Sequence, residues 1–261
     1  MRVVLLGKGG SGKSTLAGLL AAELAGRGRP VLALDADSVP GLAQVLGMAS
    51  SDDWFLAGMA VREAGGWRLE ASPAETVARG ARLGPGGVRF LQMGNADATM
   101  KDFTRERSPS RWSGSIAFNT IARSYDEEDG FVVVDLHGGT LQVASGMVGM
   151  SGVAMVVVEP FAKSVLTARR FVGMGEWPPG IRLVAVANKV ASPADRRYLE
   201  AETGRLGIPL WACVPTDPAI SRAERDGRPL VSLDRNGQAR AAVAHLADSL
   251  EEAARTPVAA R

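Results

Sequence analysis

Residues Gly7-Lys8-Gly9-Gly10-Ser11-Gly12-Lys13-Ser14-Thr15 gather glycines, two lysines and three hydroxyls directly after the apolar run Arg2–Leu6. The order satisfies Gly-x-x-x-x-Gly-Lys-Ser, the Walker A pattern, in the strand–loop–helix setting that the pattern requires. Its chemistry is the binding of phosphate. Glycines let the loop wrap backwards, so that the backbone N–H groups of Gly9, Gly10, Ser11 and Gly12 point at phosphate oxygens. A helix starting near Lys13 adds the partial positive charge of its N-terminus. Lys13 is placed to reach the β- and γ-phosphates, the Ser14 hydroxyl to coordinate Mg²⁺, and Thr15 to touch the α-phosphate. Lys8 is a second lysine that most such loops lack. It is either a solvated charge or a group that neutralises phosphate, on its own nucleotide or on that of a neighbouring subunit.

Carboxylates follow other apolar runs. Asp35 and Asp37 stand in Leu34-Asp35-Ala36-Asp37, where acids can reach Mg²⁺ and an attacking water; Asp35 reads as the more structural of the two. In Val134-Asp135-Leu136-His137-Gly138-Gly139, Asp135 ends four apolar residues, a Walker B signature that holds Mg²⁺ through water. Gly138 or Gly139 can give a backbone N–H to the γ-phosphate, and His137 reads as an ordinary loop residue in preference to a proton donor. The base is addressed by Asn188-Lys189-Val190-Ala191. Guanine-specific sites place an aspartate where Ala191 stands, so Asn188 and Lys189 without that carboxylate point to ATP. Pro215, Thr216 and Asp217 form a loop expected to close over the other side of the adenine through backbone groups, although such turns also occur without a ligand.

These residues need strands to carry them. Runs rich in Val, Ile and Leu without polar alternation predict buried strands at Arg2–Leu6, Pro30–Leu34, Val88–Gln92, Phe131–Val134, Val153–Val158, Arg182–Ala187 and Pro209–Val214. Helical patterns fall at Lys13–Ala25, Ser115–Ser124, Ser164–Gly173, Pro193–Leu206, Ala219–Arg225 and Gln238–Ala254. The alternation implies an α/β fold, a three-layer α/β/α sandwich on a mostly parallel sheet, with ligands at the carboxyl ends of the strands. One domain over residues 1–261 is expected, interrupted by an irregular insertion at about 48–114 that holds a small hairpin around Trp67–Glu70 and a polar loop over 94–114. The residues after Arg255 are expected to fray.

Composition narrows the classes. With 46% apolar and 22% charged residues the chain is that of an ordinary soluble protein, and a net charge of +2 excludes a strongly electrostatic nucleic-acid binder in the simplest sense while leaving a local basic patch open. The single cysteine, Cys213, cannot form an internal disulfide and reads as a buried thiol, consistent with a reducing cytoplasm. No run reaches the roughly 18 apolar residues of a membrane span, and no signal peptide is visible.

The Lys-Gly-Gly-x-Gly-Lys-Ser form resembles the deviant Walker A loop of the MinD/ParA class of ATPases. That resemblance implies a homodimer formed around ATP, with Lys8 acting across the interface and Asp37 orienting or deprotonating the attacking water. The segments Val158–Arg170, Asn188–Val190, Pro215–Ile220 and Ala223–Leu230 are similar to the carbon monoxide dehydrogenase accessory ATPases, which serve nickel insertion. That group carries a Cys-x-Cys before the Walker B strand; here Gly114–Asn119 has Ser115 and Ala117 at those places, and neither supplies a soft sulfur ligand. Three readings follow. The favoured one is an ATP-driven dimeric switch serving a protein partner whose identity the sequence does not give. The second is a positioning or partitioning ATPase acting with membrane or DNA. Its difficulty is an acidic, Ala-rich C-terminal helix that makes a poor anchor; Arg222, Arg225, Arg228, Arg235 and Arg240 read as a solvated face before a DNA surface. A small-molecule kinase or synthetase is the third, and the paired lysines argue against it.

Overall fold

The computed structural model describes residues 1–37, 41–49, 55–63, 66–93, 111–140, 152–173, 177 and 180–256. In chain order the elements are β1 (Arg2–Gly7), α1 (Lys13–Gly26), β2 (Val31–Asp35), α2 (Leu42–Val45), α3 (Phe55–Gly58), β3 (Ala60–Glu63), β4 (Gly66–Leu69), α4 (Pro73–Gly80), β5 (Arg82–Leu83) and β6 (Arg89–Gln92). They continue with α5 (Arg111–Ser124), β7 (Phe131–Asp135), β8 (Val153–Val158), α6 (Ala162–Gly173), β9 (Arg182–Val190), α7 (Pro193–Arg205), β10 (Leu210–Pro215), α8 (Pro218–Arg225) and α9 (Gln238–Arg255).

The unbroken apolar strands become one eight-stranded sheet in the order β10-β9-β8-β1-β7-β2-β6-β5. Every pairing from β10 to β6 is parallel; only the short β5 runs antiparallel, against β6. Both faces of the sheet are covered, which is why these strands show no polar alternation. Val3 and Leu5 of β1 face the layer of α1, α2 and α9, while Val4 and Leu6 face the layer of α5, α6 and α7. Val153, Met155 and Val157 of β8 and their neighbours Ala154, Val156 and Val158 divide in the same way. The fold is therefore the mostly parallel α/β sandwich expected from the strand–helix alternation.

Three helices begin on side-chain caps. Ser72 and Glu75 form a reciprocal capping box for α4, with Pro73 at its first position. Ser192 caps α7 and Asp217 caps α8. The capping box lies in the stretch read as lacking periodicity, and Ser-Pro-x-Glu is the local signal that marks the helix there.

The described part of the stretch around residues 48–114 holds more regular structure than its composition suggests. The expected hairpin forms as β3 paired with β4 and packs against α5. Residues Arg82–Leu83 and Arg89–Gln92 lengthen the central sheet, so this part of the region belongs to the main layer. Helix α5 starts at Arg111, four residues before the expected Ser115; residues 94–110 of the anticipated loop lie outside the described residues. Cys213 is only partly buried, because β10 is an edge strand with no neighbour on one side. Ala117, at one expected thiolate position, is buried against Phe118 and Ile121 in the core. Among the described residues no group of three or more His, Cys, Asp or Glu side chains is placed to hold a metal ion.

Candidate nucleotide site

The parallel order puts the carboxyl ends of β1, β2, β7, β8 and β9 side by side, and the phosphate loop follows β1 at the centre. Its shape depends on backbone that only glycine adopts readily: Gly10 has φ 80° and Gly12, the residue preceding α1, has φ 91°. Gly12 also has no room for a side chain, since a Cβ there would collide with the Asn188 amide. Gly12→Ala is expected to lower stability by about 1–3 kcal/mol and to abolish phosphate binding, readable together by thermal denaturation with and without ADP. Within the loop the Ser11 N–H donates to the Lys8 carbonyl at 3.2 Å, and the Lys13 ammonium lies 3.4 Å from that same oxygen.

Two neighbours fix the loop from outside. Asn188 Nδ2 donates to the Ser11 carbonyl at 2.7 Å, and Lys189 Nζ to the Gly10 carbonyl at 2.5 Å. Lys189 takes up φ 57°, unusual for a side-chain-bearing residue, in making that contact. Its ammonium also lies 3.0 Å from the buried Glu159 carboxylate, whose second oxygen is 3.9 Å from Lys8 Nζ. Glu159 was not among the sequence candidates. It ends the six apolar residues of β8, the same strand-end placement that marks Asp135, and this was the signal available for it.

The second and seventh strands bring three carboxylates together. Asp35 is buried and accepts the N–H groups of Asp37 at 2.9 Å and Leu42 at 3.1 Å, so it shapes the turn that presents Asp37. Burial, reinforced by Asp135, pushes its carboxyl well above the usual range. Asp135 is buried to 1% exposure, and neither of its oxygens has a hydrogen-bond partner of acceptable geometry. Burial raises its pKa to about 6; the nearby Ser14 hydroxyl and Lys13 ammonium oppose the rise. Burial likewise lowers the Lys13 ammonium, against the pull of Asp135, Asp37 and Glu159. The Asp135 carboxylate thus lies buried beside a lysine and a serine with no well-formed hydrogen bond of its own.

These groups surround a cleft of about 470 Å³. It is lined by Gly9, Gly10, Gly12, Lys13, Ser14, Thr15, Asp37, Gly138, Asn188, Lys189, Pro215, Thr216 and Asp217. Lys8, Ser11, Asp135 and Gly139 are outside that lining. Ser11 is buried in the loop, Asp135 is buried at the end of β7, and Lys8 is partly exposed beside Gly9. The Gly139 N–H is spent on the Gly7 carbonyl at 3.1 Å, which leaves Gly138 as the glycine of that pair lining the cleft. Gly138 sits against the phosphate loop so closely that a Cβ would lie 2.6 Å from the Gly9 nitrogen. Thr15 donates to Glu224 Oε1 at 3.2 Å, a contact across the mouth of the cleft that the sequence did not indicate. The Asp217 carboxylate accepts the Ala219 N–H at 2.8 Å as the cap of α8, and the Thr216 N–H is spent on the Val190 carbonyl at 3.0 Å.

The profile of the CobQ/CobB/MinD/ParA nucleotide binding domain matches residues 3–230, and the chain belongs to that family. The carbon monoxide dehydrogenase accessory protein CooC of Rhodospirillum rubrum is 26% identical over 242 residues, covering 87% of this chain and 88% of that one. The iron-sulfur cluster carrier protein of Saccharolobus solfataricus is 26% identical over 252 residues, covering 87% and 74% respectively. Among solved structures, the septum site-determining protein MinD with Mg-ADP from Pyrococcus horikoshii superposes with a TM-score of 0.70 at 21% identity, covering 97% of this chain and 96% of that one. This last likeness concerns the fold.

The positioning reading meets two structural difficulties. Helix α9 buries Val243, Leu246, Ala247 and Leu250 in the core, so its apolar face is not available to a membrane, and no helix among the described residues is long and apolar enough to cross one. Of the five C-terminal arginines, Arg240 is buried and Arg228 pairs with Asp226, so they do not form one free basic patch.

Proposed function

We propose that this protein is a Mg²⁺-dependent ATP-binding and hydrolysing switch of the cytoplasm. In this reading one ATPase domain over residues 1–261 dimerises around ATP and acts on a partner protein in a maturation or regulatory role. The observation that carries it is the Asp135 carboxylate, buried at the phosphate loop beside the Ser14 hydroxyl and the Lys13 ammonium with no well-formed hydrogen bond to either oxygen. A cation held there is the economical account of an acid kept in a place that raises its pKa.

The residues present suit magnesium. Oxygen ligands from Ser14, with Asp135 and Asp37 acting through water, match the preference of a hard cation that keeps much of its hydration. Such an ion would supply positive charge against the charge that develops on the transferred phosphoryl group. Lys13 and the N–H groups of Gly9, Gly10 and Gly12 hold the phosphates, with Thr15 at the α-phosphate; the Ser11 N–H, expected to join them, is spent on the Lys8 carbonyl at 3.2 Å. Gly138 is placed to sense the γ-phosphate, and Asp37 orients or deprotonates the water that attacks it. Asn188, clamped by its amide nitrogen to the loop, presents its remaining carbonyl oxygen to a purine. The Pro215–Asp217 loop covers the base, and Lys189 supports the loop from behind. The nearest downstream carboxylate, Asp195, is already engaged by the Ala191 N–H at 3.0 Å, which favours adenine over guanine. Lys8 is the group that completes the site of a second copy.

The similarity to the accessory protein of carbon monoxide dehydrogenase favours an enzyme-maturation partner, and Ala117 in the core disfavours metal carriage through a Cys-x-Cys. Calorimetry with Mg²⁺ is the test. ATP is expected to bind at least tenfold more tightly than GTP, and light scattering is expected to show doubling of mass with a slowly hydrolysed ATP analogue but not with ADP. Equal affinity for GTP overturns the base assignment, and an unchanged mass overturns the switch.

A further inference from the structure

The His137 ring nitrogen Nδ1 lies 3.0 Å from Asp37 Oδ1, joining the segment after β7 to the segment after β2. We propose that His137 is a positioning residue for ATP hydrolysis: by donating from Nδ1 it fixes the Asp37 carboxylate in the orientation that aligns the attacking water. This rests on the role given to Asp37 above.

Both ends of the contact are mounted on tethered backbone. Asp37 is held at its own N–H by Asp35, and the Ala36 N–H donates to the Asp135 carbonyl at 2.9 Å. Beyond His137, Gly138 abuts Gly9 and the Gly139 N–H bonds to the Gly7 carbonyl. The ring therefore projects from a segment bolted to the phosphate loop, whereas Asp37 lies two residues beyond the end of β2. A side chain between them transmits the position of the phosphate loop to the carboxylate. An ionised carboxylate only accepts hydrogen bonds, so the contact requires the proton on Nδ1 and thereby selects one imidazole tautomer. The Asp37 carboxylate is about one-third exposed. A misplacement of about 1 Å at such a group costs on the order of a hundredfold in rate.

Side-chain geometry supplies the test. The amide nitrogen of asparagine can occupy the place of Nδ1, while that of glutamine falls nearer Nε2. His137→Ala is expected to lower kcat by about tenfold to a hundredfold and to leave ATP affinity within about twofold. His137→Asn is expected to recover most of the loss, and His137→Gln little of it. A second readout does not depend on turnover. The chain has two histidines, His137 and His245, so imidazole nitrogen resonances are assigned with one His245→Gln variant. Wild-type His137 is expected to show a proton held on Nδ1, and Asp37→Ala is expected to lose that preference. The proposal is overturned if all three His137 variants keep wild-type kcat, if asparagine is as poor as alanine, or if the tautomer ignores Asp37. Should Asp37→Ala hydrolyse ATP normally, the assigned role of Asp37 fails instead, while the tautomer still reports whether the contact exists.

Discussion

Lys8→Ala is expected to bind ATP almost as wild type does, yet to remain monomeric with it. The two properties separate because Lys8 serves the loop through its backbone and the proposed interface through its side chain. Its carbonyl accepts the Ser11 N–H and lies within reach of Lys13, and both contacts survive truncation to alanine. Its ammonium, by contrast, lies on a side chain 34% exposed, near the Gly9 carbonyl and Glu159. Affinity for ATP should therefore change by no more than about threefold, while self-association with ATP disappears. Hydrolysis should fall by about a hundredfold or more, the cost of removing one preorganised donor from a developing charge. Calorimetry, light scattering and phosphate release read the three quantities separately. A variant that still doubles its mass at wild-type ATP concentrations excludes the cross-subunit role. One that no longer binds nucleotide instead assigns the Lys8 ammonium to its own site.

The second large effect concerns Asp135 and has opposite signs with and without ligand. Its folded-state pKa of about 6 stands above the ordinary value of 3.8. Between those two values the folded protein holds a proton that the unfolded chain has released, so stability falls as pH rises through that window. Above about pH 6 the deficit is complete and amounts to on the order of 3 kcal/mol. Asp35 is shifted in the same direction and steepens the trend. Asp135→Asn removes the charge while nearly preserving shape, so the nucleotide-free variant is expected to melt above wild type at pH 7 and to show a weaker loss of stability from pH 5 to 7. With Mg²⁺ and nucleotide the order reverses. Wild type gains about 2.7 kcal/mol at a hundredfold excess over Kd, whereas the variant, lacking the carboxylate, gains little from the metal. Parallel denaturation curves at pH 5 and 7 decide the matter, and a variant less stable than wild type without ligand at pH 7 would show that the carboxylate is a structural asset and not a prepared cation site.

Much of this was legible in the residues because the decisive signals are local. Gly7 to Thr15 define a phosphate loop through spacing alone, and a carboxylate ending an apolar run identifies Asp135 without knowledge of its neighbours. The alternation of strands and helices likewise implied a parallel sheet with ligands at its carboxyl edge. Glu159 carried the same local mark yet went unselected, because nothing in its sequence neighbourhood names the lysines it serves. The capping box at Ser72 and Glu75 was similarly present but masked by a glycine-rich and proline-rich setting.

What the chain by itself determined is the chemistry available: a phosphate loop, acids at strand ends and an adenine-compatible Asn-Lys without the guanine-reading aspartate. Only tertiary structure decided which of those groups meet and how each donor is spent. Strand order brings Glu159 to Lys189, Asn188 to the Ser11 carbonyl and His137 to Asp37. It also commits the Gly139 N–H to Gly7, engages Thr15 with Glu224 and leaves Cys213 on an open sheet edge. The physical reason is that burial and hydrogen bonding between residues far apart in the chain are settled by packing, whereas turn conformation and the charge a side chain can carry are fixed by residue type and spacing.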